Sequence, residues 1–149
     1  MLMPLLVATG VLLVSLLLYG ATTDLIVRMF ARMNRKEDHL GFWKIVAVLM
    51  IVTLITAAAH LGAIALWTTA LLMTGEISTF EKACYLSAQN YTALGYGDII
   101  LSERWRMLGP LEAINGLLLV GLSTAVMFAV MNHLITKKLR QTLLARSDS

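Results

Sequence analysis

The sequence predicts an all-α integral membrane protein, and three observations carry that prediction. Hydrophobic residues make up 58% and charged residues 14% of the 149-residue chain, and mean hydropathy is +0.78, far more apolar than a soluble domain of this size. Three apolar stretches are each long enough to cross a bilayer, which takes about 20 helical residues. Between the second and third lies a shorter, more polar segment ending in a glycine-rich turn. Such a segment is too short to cross a membrane but long enough to dip into it and return. The predicted architecture is therefore three transmembrane helices plus a re-entrant helix and loop.

The elements follow in chain order. Leu5 to Val27 is the first span, interrupted only by small or hydroxyl residues until Asp24. No positive residue precedes it and it is too long for a cleaved leader, so a retained helix is expected. Ile45 to Met73 is the second span, with His60 as its sole ionisable residue. Two readings of His60 stay open: an ionisable functional group within the membrane, or a neutral histidine bonded to a neighbouring helix. Glu76-Ile77-Ser78-Thr79-Phe80-Glu81 contains an S-x-x-E capping box, which predicts Ser78 as the cap of a half-helix through Lys82, Tyr85 and Gln89 to about Thr92. Aimed inward, its negative dipole end would face the membrane centre and stabilise a cation. Leu111 to Leu134 is the third span, after Gly109-Pro110, where proline suits the first helical position.

Charge placement predicts orientation. Arg28, Arg32, Arg35, Lys36 and Lys44 lie between spans one and two, and Lys137, Lys138, Arg140 and Arg146 follow span three. Only Lys82, Arg104 and Arg106 flank the re-entrant segment. The positive-inside rule then puts the first connector and the C-terminus in the cytoplasm and the N-terminus and re-entrant segment outside. Trp43 at the inner edge, with Trp67 and Trp105 at the outer edge, would form interfacial belts. Arg28, Arg32 and Arg35 have helical spacing but follow the apolar core instead of crossing it, so cytoplasmic anchoring is favoured over voltage sensing.

Several functions lack the residues they need. The formal charge is only +3, without an aromatic-laced basic patch, so nucleic acid is not an expected partner. The single cysteine, Cys84, excludes an intrachain disulfide or a cysteine metal cluster and reads as a small apolar residue. No metal-ligand pair, nucleophile with a base, or phosphate loop of known spacing occurs, so neither enzyme activity nor a cofactor is expected.

The most informative residues are Tyr91-Thr92-Ala93-Leu94-Gly95-Tyr96-Gly97-Asp98. Successive backbone carbonyls point to one side only if dihedrals alternate in sign, and Gly95 and Gly97 reach positive φ at little cost. The turn follows a half-helix and precedes Leu108-Gly-Pro-Leu-Glu-Ala-Ile-Asn-Gly-Leu-Leu-Leu-Val-Gly-Leu-Ser-Thr-Ala. In that context residues 42–138 resemble the two-helix pore module of potassium channels, as found in small bacterial members, preceded by an extra helix in residues 1–41 and followed by a short tail in residues 139–149.

The resemblance implies a selectivity filter in which backbone carbonyls of Ala93, Leu94, Gly95, Tyr96 and Gly97 hold K+ ions. It also implies support of the filter by Asp98, Tyr85 and Thr92, with Tyr85 as a donor to Asp98. By the same resemblance Gly121 is an inner-helix hinge, with a small residue at a helix contact as the open alternative, and Leu122, Ala125, Ala129 and His133, which share one helical face, line a cavity. For His133 a ring of four titrating imidazoles and a plain position at the lipid interface both stay open. One filter strand cannot enclose an ion, so a homotetramer among membrane lipids is expected, in a bacterial inner membrane. Most potassium channels carry threonine at the position of Ala93, so the innermost ion site loses its hydroxyls. Potassium-selective conduction is the primary expectation. A weakly selective monovalent cation channel and a non-conducting scaffold or regulatory subunit are the alternatives.

Overall fold

The computed structural model describes residues 2–34 and 41–147, with side chains at positions 33, 34 and 144–147 outside the description. Arg35, Lys36 and the side chain of Arg146 thus lie outside the described residues. Within them the chain is helical: α1 (Leu2–Asn34), α2 (Phe42–Met73), α3 (Phe80–Tyr91) and α4 (Leu108–Ser147). Three of the four, α1, α2 and α4, are long and apolar enough to cross a membrane. At about 1.5 Å per residue, each outruns the hydrocarbon layer, and each is apolar nearly all round, as a lipid-embedded helix is.

The three long helices exceed the spans that the sequence predicts. α1 continues past Val27 to Asn34, with an Arg28–Asp24 ion pair of 2.7 Å on its exposed last turns. α4 begins at Leu108, placing Pro110 third in the helix, still in the first turn where its missing N–H costs nothing. It also runs on through residues 139–147, the segment expected as a tail. Ser78 is not the cap of α3: Thr79 occupies that position without a side-chain bond, and the first intrahelical bond runs from Ala83 N to Thr79 O at 3.1 Å. With the helix starting one residue later, Glu81 is shifted out of capping-box register. Ile77, meanwhile, is tucked into the core.

Order along the helices fixes the topology. Asn115 donates to Ser15 (3.2 Å), Tyr19 donates to Ser123 (2.9 Å), and Phe30 meets His133 edge-on with centroids 5.9 Å apart. The pairs ascend together in both helices, so α1 and α4 run in the same direction, while α2 returns against them. Arg104 Nη2 lies 3.5 Å from Met3 Sδ, so α1 begins on the side where the loop after residue 98 emerges. α3 packs on α2 and α4, and among the described residues it does not touch α1.

Two apolar cores result. One lies at the α3 end of the bundle and brings Ala63, Trp67 and Leu71 of α2 against Ala83 and Leu86 of α3 and Leu119 of α4. The other, at the opposite end, joins Ile26, Val48, Val52, Val130 and Leu134 of the three long helices. Trp67 departs from the interfacial position expected of it: it is 0% exposed, because α3 packs over this part of α2. Trp43 is 80% exposed. Hydroxyls of Thr22, Thr53, Thr69 and Thr124 turn back onto carbonyls one turn earlier, satisfying themselves within their own helices.

Candidate functional site

The loop from Thr92 to Asp98 begins where α3 runs out of helical partners. Thr92 N donates to Ala88 O (3.2 Å), Ala93 N to Asn90 O (2.9 Å) and Leu94 N to Gln89 O (2.9 Å). The last carbonyls of α3 therefore hold the first amides of the loop, and the C-terminal, negative end of the helix dipole points along it. Thr92 spends its hydroxyl on its own helix, 2.7 Å from Ala88 O.

Beyond Thr92 the backbone alternates in hand. φ is +56° at Ala93, +54° at Gly95 and +76° at Gly97, whereas Leu94 and Tyr96 between them are not in the positive region. Alternating sign along a strand turns successive carbonyls to the same side, in place of the two-sided pattern of an ordinary β-strand. Glycine supplies two of the three positive positions without strain. Ala93 is the exception: an alanine in the left-handed region costs about 1–2 kcal/mol, held here by its amide bond to Asn90 O. The sequence offered no sign of this strain.

Gln89 clamps the loop from behind. Its side chain, 4% exposed, accepts from Tyr96 N at 3.2 Å and donates from Nε2 to Asp98 Oδ1 at 3.0 Å. The Gln89 amide, followed by Tyr85, holds the Asp98 carboxyl below its ordinary value of 3.8. A carboxyl whose folded value is depressed contributes stability above its ordinary pKa and loses it as pH falls through the folded value. The Asp98 clamp should therefore survive acidification to about the ordinary carboxyl range and fail only below it. Replacing Gln89 by Leu removes both bonds at constant bulk, at about 0.5–1.5 kcal/mol each. The expected result is a loosened loop with reduced ion discrimination, measured as the ratio of potassium to sodium flux.

Gln89 was missed at the sequence level, as were Asn90 and Glu112. Glu112 on α4 is 0% exposed. Its Oε1 lies 2.6 Å from Ser87 Oγ, and its Oε2 accepts from Asn90 Nδ2 at 3.1 Å. The available signal was a carboxyl inside an otherwise apolar span, where ionisable residues are functional candidates by default. A second polar cluster centres on His60, whose Nδ1 lies 2.7 Å from the Tyr91 hydroxyl and whose Nε2 lies 2.7 Å from Ser123 Oγ. His60 thus bonds neighbouring helices at the base of the loop, as the second of its two readings expects.

The loop's outer face is uncovered. Leu94 is 56% and Tyr96 69% exposed, although neither lies on a lipid-spanning helix. On α4, Leu122 is exposed and Gly121 has nothing within 4 Å of an added Cβ. Ala125, Ala129 and His133 are exposed as well, and the last two border a groove of about 230 Å³ shared with Thr23, Ile26, Val27 and Phe30 of α1. In the single chain these two positions therefore turn toward α1. Gly116 packs hardest of all: a Cβ there would lie 1.9 Å from Tyr91 O.

A half-helix ending in a loop of alternating handedness, set between two membrane spans, is the geometry of an ion pore. A family model described as "Ion channel" matches residues 46–133. The chain belongs to this ion channel family. The match runs from α2 through α3 and the loop to His133 on α4, leaving α1 as an addition to the channel module. No curated protein and no solved structure matches the channel.

Proposed function

We propose that the channel is a homotetrameric, potassium-selective pore in which carbonyls of Ala93, Leu94, Gly95, Tyr96 and Gly97 replace the hydration shell of K+. The observation that carries this reading is the run of positive φ at residues 93, 95 and 97. It supports a one-sided row of carbonyls, the arrangement by which potassium channels bind dehydrated ions. One row needs three more to close a ring. The exposure of Leu94 and Tyr96 supports neighbouring copies as their cover. Gly121 would act as the hinge of α4, and Leu122, Ala125, Ala129 and His133 would flank the inner cavity once α4 helices from four copies meet. Basic residues Arg28, Arg32 and Lys44 at one end of the bundle, and Lys137, Lys138 and Arg140 at the same end of α4, support a cytoplasmic position for that end. The filter and the start of α1 then face outward across a bacterial inner membrane.

Ala93 favours a second reading, a pore with weaker discrimination among monovalent cations. Its side chain offers no oxygen to the innermost ion site. Ala93→Thr would add one hydroxyl per copy, but it would also put a β-branched residue at φ +56°, a true outlier for such residues. Selectivity should rise only if the backbone there relaxes to negative φ. Isothermal titration tests both points. Parent protein should bind potassium and not sodium, and Ala93→Thr should bind potassium more tightly if the backbone there relaxes and no more tightly if it keeps its positive φ. Equal binding of the two ions by the parent would favour the second reading.

A further inference from the structure

We infer that Glu112 is held as a neutral carboxylic acid and that it is a positioning residue for the filter, bracing α3 against α4 and α2. The inference rests on the reading of the loop as a filter, and its first half is testable without that reading.

Counting protons at Ser87 points this way. Ser87 Oγ lies 3.0 Å from Ile64 O on α2 and 2.6 Å from Glu112 Oε1 on α4. A serine hydroxyl has one proton. If it goes to Ile64 O, the Glu112–Ser87 contact needs a proton from Glu112. A neutral Glu112 satisfies every group: its O–H on Oε1 donates to Ser87 Oγ, Ser87 donates to Ile64 O, and carbonyl Oε2 accepts from Asn90. An ionised Glu112 leaves two oxygens on Ser87 competing for one hydrogen. With the Ser87 proton given to Glu112 instead, the Ser87 oxygen would face Ile64 O at 3.0 Å with no hydrogen between the two.

The surroundings agree. Glu112 and Ser87 are both 0% exposed, and no cation among the described residues pairs with Glu112. An unpaired ionised carboxylate buried in a membrane protein costs several kcal/mol. His60, Tyr91 and Tyr19 are engaged with one another through Ser123. Ser123 gives its proton to Leu119 O (2.9 Å) and accepts from Tyr19, so His60 donates to it from Nε2 and accepts from Tyr91 at Nδ1. That leaves His60 neutral, with Tyr91 of α3 and Tyr19 of α1 as hydroxyls, and no positive charge faces Glu112 from α1, α2 or α3.

Position gives the acid its role. Asn90, held by Glu112, supplies the carbonyl that binds Ala93 N, and Gln89 beside it clamps Tyr96 and Asp98. Fixing Ser87 and Asn90 therefore fixes the turn from which the filter departs. Ionised copies would instead place uncompensated negative charges behind it.

Glutamine reproduces the neutral acid, with an amide N–H for the O–H and a carbonyl for Oε2, but not the ionised form. Infrared spectra of the intact channel at neutral pH should show a protonated-carboxyl stretch that Glu112→Gln removes. Absence of that difference would overturn the neutral assignment. In vesicles, Glu112→Gln should keep the potassium-to-sodium flux ratio within about twofold of the parent. Glu112→Ala should lower the ratio at least about tenfold, the scale of one buried group left unpaired. A ratio preserved in Glu112→Ala, or lost equally in both variants, would overturn the positioning role. If Glu112→Ala fails to fold, the infrared difference and the glutamine variant still decide. A parent that passes no ions would count against the pore reading while leaving the infrared result to judge Glu112 alone.

Discussion

Gly97→Ala will abolish potassium-selective flux while leaving the protein assembled. Gly97 sits at φ +76° with nothing within 4 Å of an added Cβ, so the substitution meets no steric obstacle within its own chain. Its whole effect is on backbone preference. Alanine in the left-handed region costs about 1–2 kcal/mol per chain, and in the proposed tetramer four copies would be strained around one ion site. The strand escapes by flipping toward negative φ, which turns a carbonyl away from the others and opens the ring. Flux in vesicles, with size-exclusion chromatography as the assembly control, checks this result. Selectivity unchanged in Gly97→Ala would mean that the carbonyls there do not bind the ion.

Gly116→Ala should act on the fold instead of the filter backbone. Its Cβ would lie 1.9 Å from Tyr91 O and 2.8 Å from Tyr91 C. Those are main-chain atoms of the last residue of α3, and moving them moves the start of the loop. Overpacking of this kind costs about 1–3 kcal/mol, and more where the neighbour cannot yield. The expected outcome is a lower melting temperature in detergent, together with lost flux. Gly121→Ala is the matched control, because nothing lies within 4 Å of its added Cβ, and its melting temperature should stay close to that of the parent.

Much of this architecture was legible because membrane spans obey a coarse rule. Long apolar runs cannot be hidden in 149 residues, and the Gly95-Tyr96-Gly97-Asp98 turn after a half-helix announces alternating backbone by its glycines. What stayed hidden depends on tertiary neighbours. Gln89 bonds positions seven and nine residues downstream, past the end of α3 at Tyr91, where helical periodicity no longer says which residues meet. Trp67 looked interfacial by its place near the end of an apolar run, yet α3 folds over it and buries it. Ser78 and Glu81 have capping-box spacing, but Ile77 is drawn into the core and the helix starts one residue later. The pairing of α1 with α4 through Ser15 and Tyr19 also left no mark on hydropathy, because small hydroxyls interrupt many spans without finding a partner.

α1 lies outside the matched module and is nonetheless wired into it. Tyr19 reaches Ser123, Ser123 reaches His60, and His60 reaches Tyr91 at the base of the loop. That chain of hydroxyls and one imidazole links the added helix to the last residue of α3 through α4 and α2. Tyr19→Phe removes one end of the chain at nearly constant volume. It should lower thermal stability by about 0.5–1.5 kcal/mol, the net worth of one buried hydrogen bond, as measured by denaturation in detergent.

The central claim is that four copies of this loop select potassium. The measurement that tests it most directly is cation flux into liposomes containing only the purified protein, with rubidium or potassium compared against sodium under the same gradient. Uptake of potassium and rubidium far faster than that of sodium is the predicted result. Comparable rates would replace the selective filter with a general cation pore, and no uptake of any cation would contradict conduction by this chain altogether.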